Sequence, residues 1–361
     1  MELLNLDCLG YPLRLEGSIA GWQVLYWNNT PVSRLDATAD DAGDRQHEFE
    51  LQANDQSIRC RVTTSLQWQP FVLNYALHVD DQLINSGTRT SKDIERQVPS
   101  QPIAPTKRSF SLIGLAALGF KLLKSAKLIK VGLAGASLSA YAWFFSLPFA
   151  LALIACLVVH EYGHIRAMKY FGMQTKGIYL IPFLGGLALS DEKINTRWQD
   201  VVISLMGPCF GLVLSLLSLF AYWLTGELFF AGLSAFNALL NLFNLLPILP
   251  LDGGHVLKSI TFSMNSIVGL VVCILAAIGG IFISYSLGLA LLGFLLIIGS
   301  IEIFMEWRGR HQSHLLPLDR YGQLFSTLWY LITVGGLIAI IWYLSGTGDA
   351  LLGLPLQILQ S

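Results

Sequence analysis

The chain has 361 residues, 53% of them hydrophobic and 13% charged, with a formal net charge of −1. A soluble globular chain carries about 25% charged residues, so this balance points to lipid as part of the solvent, and the missing positive charge excludes a nucleic-acid footprint. The five cysteines (Cys8, Cys60, Cys156, Cys209 and Cys273) are scattered without a CxxC pair, which argues against a disulfide scaffold.

The opening "MELLNLDCLGYPLRLEG" has no basic n-region and no apolar h-region, so no cleavable signal peptide is expected. Residues 1 to about 105 hold most of the acidic side chains and read as soluble. In "SIRCRV", Ile58, Cys60 and Val62 alternate with Arg59 and Arg61, the period-two pattern of a half-buried strand. "FVLNYALHV" followed by "DDQLI" predicts strand, tight turn and return strand, and "WQVLYWNNTPV" another strand ending in a turn. These segments predict a small antiparallel β-domain of about six strands. His47 and His78 are isolated, without ligand spacing, and are expected on strand surfaces. "VPSQPIAPTKR", from Val98 to Arg108, reads as a proline-rich linker. Lys121, Lys124, Lys127 and Lys130 then recur every three residues among apolar ones, as in an amphipathic helix lying on an anionic membrane surface.

Beyond this point, apolar stretches approach the roughly 20 residues needed to cross a ~30 Å hydrocarbon core. The expected spans are 131–147, 149–170, 200–224, 228–250, 266–286, 288–306 and 325–345. The fold class is therefore a polytopic α-helical membrane protein of about seven transmembrane helices with a small N-terminal all-β soluble domain. The expected division is 1–98 β-domain, 99–130 linker and surface helix, 131–258 membrane core, and 259–361 additional helices and tail. One set of loops carries the four lysines together with Arg166, Lys169, Lys176, Lys193, Arg197, Lys258, Arg308, Arg310 and Arg320, whereas the opposite set carries only Glu227. The positive-inside rule then puts the N-terminal domain in the cytoplasm and the C-terminus outside. Trp198 and Trp307 fall near the inner interface, and Trp143, Trp223 and Trp342 near the outer one.

"LVVHEYGHIRAMKY", from Leu157 to Tyr170, puts ionisable groups in such a span. Charge at membrane depth costs about 2.5–3.5 kcal/mol per group on insertion scales, so these groups are functional candidates. His160 and His164 are one helical turn apart and can reach one ion, with Glu161 beside them: the HExxH zinc pattern. A catalytic zinc needs a third protein ligand and an open position. Asp252, in "NLFNLLPILPLDGGHV", is the candidate at the inner end of a later span, and His255, just past the glycines, is its rival. Asp-Gly-Gly alone would otherwise read as a turn.

HExxH in one span and Asn244, Pro247, Asp252 and Gly253 near the end of another together resemble the site-2 protease family of intramembrane zinc metalloproteases. The resemblance covers about residues 131 to 258, including "GGLALS" and "GPCFG", but not the β-domain. It implies one Zn²⁺ per chain held by His160, His164 and Asp252. It also implies Glu161 as general base and later proton donor, and Asn244 holding or polarising the scissile carbonyl. A hydrogen bond from Asn244 to an oxyanion would contribute about 3 kcal/mol in a dry site, whereas Asn241 is expected to act as an interhelical amide clasp. The implied partners are the lipid bilayer and a transmembrane protein or peptide substrate, with no nucleic acid. The implied setting is a bacterial inner membrane. "IPFLGGLALSDEK", from Ile181 to Lys193, is apolar yet too short to span, and is expected as an extended segment beside the metal that pairs with an unwound substrate. Two other readings stand: a transporter using the intramembrane His, Glu and Asp as a path, and a proteolytically idle membrane-protein binder, against which the intact Glu161 argues. Glu302 is the intramembrane acid that a different class of HExxH protease would need.

Overall fold

Hairpin chemistry organises the first ninety residues. The computed structural model describes residues 1–18, 21–36, 44–53, 56–97, 127–144, 146–181, 185–190, 194–286, 290–308 and 315–346. Strands β1 (Glu2–Cys8), β2 (Tyr11–Gly17), β3 (Gln23–Trp27) and β4 (Thr30–Leu35) form one antiparallel meander. Strands β5 (Arg45–Ala53), β6 (Gln56–Trp68), β7 (Phe71–Val79) and β8 (Gln82–Thr90) form a second. Asn28–Asn29 and Asp80–Asp81 turn with positive φ at both residues, the twist that two-residue hairpins favour and that Asn and Asp tolerate. The sheets share one core, with Leu3, Leu13, Leu15 and Leu25 from the first and Cys60, Val62, Leu73 and Leu77 from the second.

Two expectations are corrected here. There are eight strands rather than about six, because the β1–β2 turn at Leu9–Gly10 carries little turn signal in sequence. His47 is buried, not on a strand surface: Nε2 lies 3.1 Å from Gln23 Oε1 and Nδ1 3.0 Å from Ser33 Oγ. Burial, and then the nearby Arg45 charge, push its pKa down to about 4. His78 is half-buried.

A short helix α1 (Ser91–Glu95) closes the β-domain. Helices α2 (Lys127–Phe144) and α3 (Leu147–Tyr170) follow, then the hairpin of β9 (Thr175–Ile181) and β10 (Gly185–Ser190). The remaining helices are α4 (Arg197–Thr225), α5 (Leu228–Asn244), α6 (Asp252–Met264), α7 (Ser266–Ser286), α8 (Ala290–Arg308) and α9 (Arg320–Ser345). The proline-rich linker and Lys121 and Lys124 lie outside the described residues, while Lys127 and Lys130 open α2. Among the described residues, α3, α4 and α9 are long and apolar enough to cross a membrane, with 24, 29 and 26 residues. α5 and the apolar stretches Ile267–Phe282 and Leu296–Met305 are shorter. Leu216, Leu217, Phe220 and Leu224 on α4 and Leu328, Leu331 and Ile332 on α9 are exposed, as lipid-facing side chains are.

The expected span 228–250 is two elements. α5 stops at Asn244, the chain folds through 245–251, and α6 begins at Asp252. Pro247 and Pro250 cannot donate the helical N–H, which breaks the run. The fold-back is so close that a Cβ on Gly253 would sit 2.1 Å from the Leu245 carbonyl oxygen. The Tyr330 hydroxyl of α9 donates to that same carbonyl at 2.6 Å.

The β-domain docks on the end of the bundle where α4 begins. The Asn195 side chain donates to the carbonyls of Ile94 and Gln97 at 3.1 and 2.8 Å, and that of Gln199 to the Glu95 carbonyl at 2.8 Å. Leu316, from the α8–α9 connection, is buried in the β-domain core.

Candidate active site

α3 presents His160, Glu161 and His164, all buried, toward α4. The helices cross closely: a Cβ on Gly163 would lie 2.4 Å from the Met206 carbonyl oxygen, and one on Gly207 would lie 2.3 Å from His164 Nε2 and 3.0 Å from His160 Nε2. The two glycines make the space in which the imidazoles sit.

The hydrogen bonds at the outer ring nitrogens determine the inner ones. His164 Nδ1 lies 2.7 Å from the Ile203 carbonyl, which only accepts, so Nδ1 carries a proton, and in the neutral ring Nε2 is left with a lone pair. His160 Nδ1 lies 2.7 Å from Asn241 Oδ1. The orientation of that amide follows from its other end, where Nδ2 donates to the Asn237 carbonyl at 2.8 Å. His160 therefore also carries its proton on Nδ1. The two Nε2 atoms are 3.1 Å apart, and between neutral rings of this tautomer the contact is two lone pairs facing each other.

Asp252 completes the arrangement. Its Oδ2 lies 3.3 Å from His160 Nε2 and 3.5 Å from His164 Nε2. With both rings neutral, three acceptors converge, a donor set that suits a metal cation. Ligands at 2.0–2.1 Å in a tetrahedron are about 3.3–3.4 Å apart, so the triangle with edges of 3.1, 3.3 and 3.5 Å has the size a zinc ion needs. The Glu161 carboxylate offers an oxygen within 4.8 Å of both histidine ligand atoms, close enough to reach a water beside the ion.

Other candidates lie elsewhere. His255 Nδ1 faces Asp200 Oδ1 at 3.5 Å, and Glu302 accepts from Lys258 Nζ at 2.6 Å. Asn244 ends α5, half-buried, and among the described residues no hydrogen bond engages its amide. Asn241 bridges two helices through its amide, as expected, but its partner lies in the site itself. It is a direct partner of His160, and its neighbour Asn237 donates to the Gly211 carbonyl at 2.9 Å and to Ser215 Oγ at 2.7 Å. Its place one helical turn before Asn244 was the only hint in sequence. The β9–β10 hairpin packs on α3, with Gly185 opposite Ile181 and Leu187 opposite Tyr179.

This is a candidate metal site of HExxH type, set among helices long and apolar enough to cross a membrane. Residues 148–227 match the model of peptidase family M50. The chain is similar to a protein of Synechocystis sp. named as a zinc metalloprotease, 40% identical over 128 residues covering 34% of each chain. It is also similar to stage IV sporulation protein FB of Bacillus subtilis, 27% identical over 47% of this chain and 63% of the relative. A zinc metalloprotease of Methanocaldococcus jannaschii is 32% identical over 37% of this chain and 40% of its own length. The chain thus spans between about a third and just under two thirds of the length of these relatives. The segment that carries HExxH is thus similar to that family, and the donor set above fits the zinc for which two of these relatives are named.

Proposed function

We propose that the chain is an intramembrane zinc metalloprotease that hydrolyses peptide bonds in or near transmembrane segments of membrane proteins. The observation that carries this reading is the convergence of His160 Nε2, His164 Nε2 and Asp252 Oδ2 within 3.5 Å of one another, with Glu161 alongside. In this reading those three residues hold one Zn²⁺ per chain. A zinc ion bound there polarises a carbonyl and makes a water nucleophilic near neutral pH. Glu161 accepts the water proton at its carboxylate and returns it to the leaving amine. Asn244, with its amide uncommitted among the described residues, turns its N–H toward the scissile carbonyl. Both histidines are held in one tautomer, which suits a fixed coordination site better than the proton path of a transporter.

At 1.5 Å per residue, His164 and His160 lie about 9 and 15 Å from the end of α3 at Tyr170. That depth is reachable by water from the side we assign to the cytoplasm, where the basic residues cluster and the β-domain docks. The substrate has to unwind, because a helix keeps its carbonyls in hydrogen bonds. β10 offers the unwound segment an edge to pair with, beside α3. We assign the bundle seven spans, 131–258 as its catalytic part, and a bacterial inner membrane as its setting.

The test is cleavage of a panel of single-span membrane reporters by the purified chain in lipid vesicles. Glu161→Gln is expected to keep zinc and to lose cleavage by about 10²–10⁴-fold, and chelation is expected to stop the wild type. Cleavage that persists in Glu161→Gln, or that ignores chelation, contradicts the proposal.

A further inference from the structure

α4 contributes no candidate ligand, yet one of its faces touches everything that orients the ligands. Asp200, Ile203, Gly207, Gly211 and Ser215 recur at three- and four-residue spacing and so share that face. The Ile203 carbonyl holds His164 Nδ1 at 2.7 Å. Gly207 leaves room for both imidazoles. The Gly211 carbonyl and Ser215 Oγ fix the Asn237 amide, whose Oδ1 accepts from Asn241 Nδ2 at 3.1 Å, and Asn241 holds His160. Two histidines are thus positioned from α4, one directly and one through α5.

The third group, Asp252, opens α6, and a carboxylate at a helix start is only as well placed as the helix. α6 is tied to α4 at Asp200. Ser259 Oγ donates to Asp200 Oδ2 at 2.6 Å, and His255 Nδ1 lies 3.5 Å from Oδ1. An aspartate in the first turn of a helix ordinarily serves that helix's own N-terminus. Here that need is met by Thr196, whose Oγ1 accepts from the Gln199 N–H at 3.1 Å while Gln199 Oε1 accepts from the Thr196 N–H at 3.1 Å. Both Asp200 oxygens are left for α6. His255 and Ser259 lie one and two turns beyond Asp252, so the tie fixes both the rotation and the axial position of the ligand.

We propose that α4 is the template of the metal centre and that Asp200 is the positioning residue for Asp252. This rests on the reading of His160, His164 and Asp252 as the ligands. The test is Co²⁺ binding to the full-length chain in detergent, followed by the visible bands of the tetrahedral ion and by titration. Asp200→Ala is expected to bind Co²⁺ about 10–100-fold more weakly, with altered bands even at saturation. Asp200→Asn, which keeps an acceptor for Ser259, is expected to restore the wild-type bands. Ser259→Ala should move affinity and bands in the same direction as Asp200→Ala, and it decides the matter where Asp200→Ala does not fold. Wild-type affinity and bands in Asp200→Ala, or in Ser259→Ala where that variant decides, overturn the proposal while leaving the ligand assignment standing. A wild-type chain without a tetrahedral Co²⁺ signal overturns both.

Discussion

At the scale of single residues, the site depends on one missing methyl group. A Cβ at position 207 would fall 2.3 Å from His164 Nε2, 2.5 Å from its Cε1 and 3.0 Å from His160 Nε2, against the ligand atoms themselves. Neither imidazole can retreat, because each is tethered through Nδ1. Gly207→Ala is therefore expected to lose bound zinc and cleavage together, while Gly335→Ala, whose Cβ meets nothing within 4 Å, leaves both unchanged. Metal analysis of the two purified variants checks this, and full zinc in Gly207→Ala would contradict it. The spacing of His160 and His164 is local, one turn of one helix, and so was visible in sequence. The task of Asn241 was not, because it depends on how α5 is rotated against α3, across 81 residues of chain. For the same reason His47 was misread, since its partners Ser33 and Gln23 belong to the other sheet.

At the scale of elements, apolar length located the helices well but not the break between α5 and α6. A run of leucines and prolines from 242 to 251 carries no periodicity to separate a span end from a fold-back. The extended segment at β10 was legible because Pro182 and the Gly185–Gly186 pair disfavour a helix in an apolar stretch, but its hairpin partner β9 was not, and residues 182–184 and 191–193 lie outside the described ones. If β10 carries the substrate, removing one of its N–H groups disturbs pairing without touching the ligands. Leu187→Pro is expected to reduce cleavage sharply and keep zinc, and Leu187→Ala to be mild. Full activity in Leu187→Pro, or loss of zinc and fold along with activity, would sink the strand-pairing model.

At the scale of the whole molecule, composition separated a polar N-terminal unit from an apolar remainder. It did not show how the two meet. The contacts run from Asn195 and Gln199 to carbonyls about a hundred residues earlier, and Leu316 enters the β-domain core from near the far end of the chain. No local pattern signals such contacts. The docking end is the one that carries Arg166, Lys169, Arg197 and Arg320, which is the cytoplasmic side in the proposed orientation. Asp44→Cys in the β-domain should then resist a membrane-impermeant thiol reagent added to intact cells and react once the membrane is opened. Labelling in intact cells would reverse the orientation.

The central claim is that His160, His164 and Asp252 together hold one zinc ion. Zinc content of the purified chain and its variants tests it most directly. The wild type should carry about one zinc per chain, His164→Ala and Asp252→Ala should each lose it, and His255→Ala should retain it. Stoichiometric zinc in Asp252→Ala with loss in His255→Ala would show that the third ligand, and the centre built around it, had been assigned wrongly.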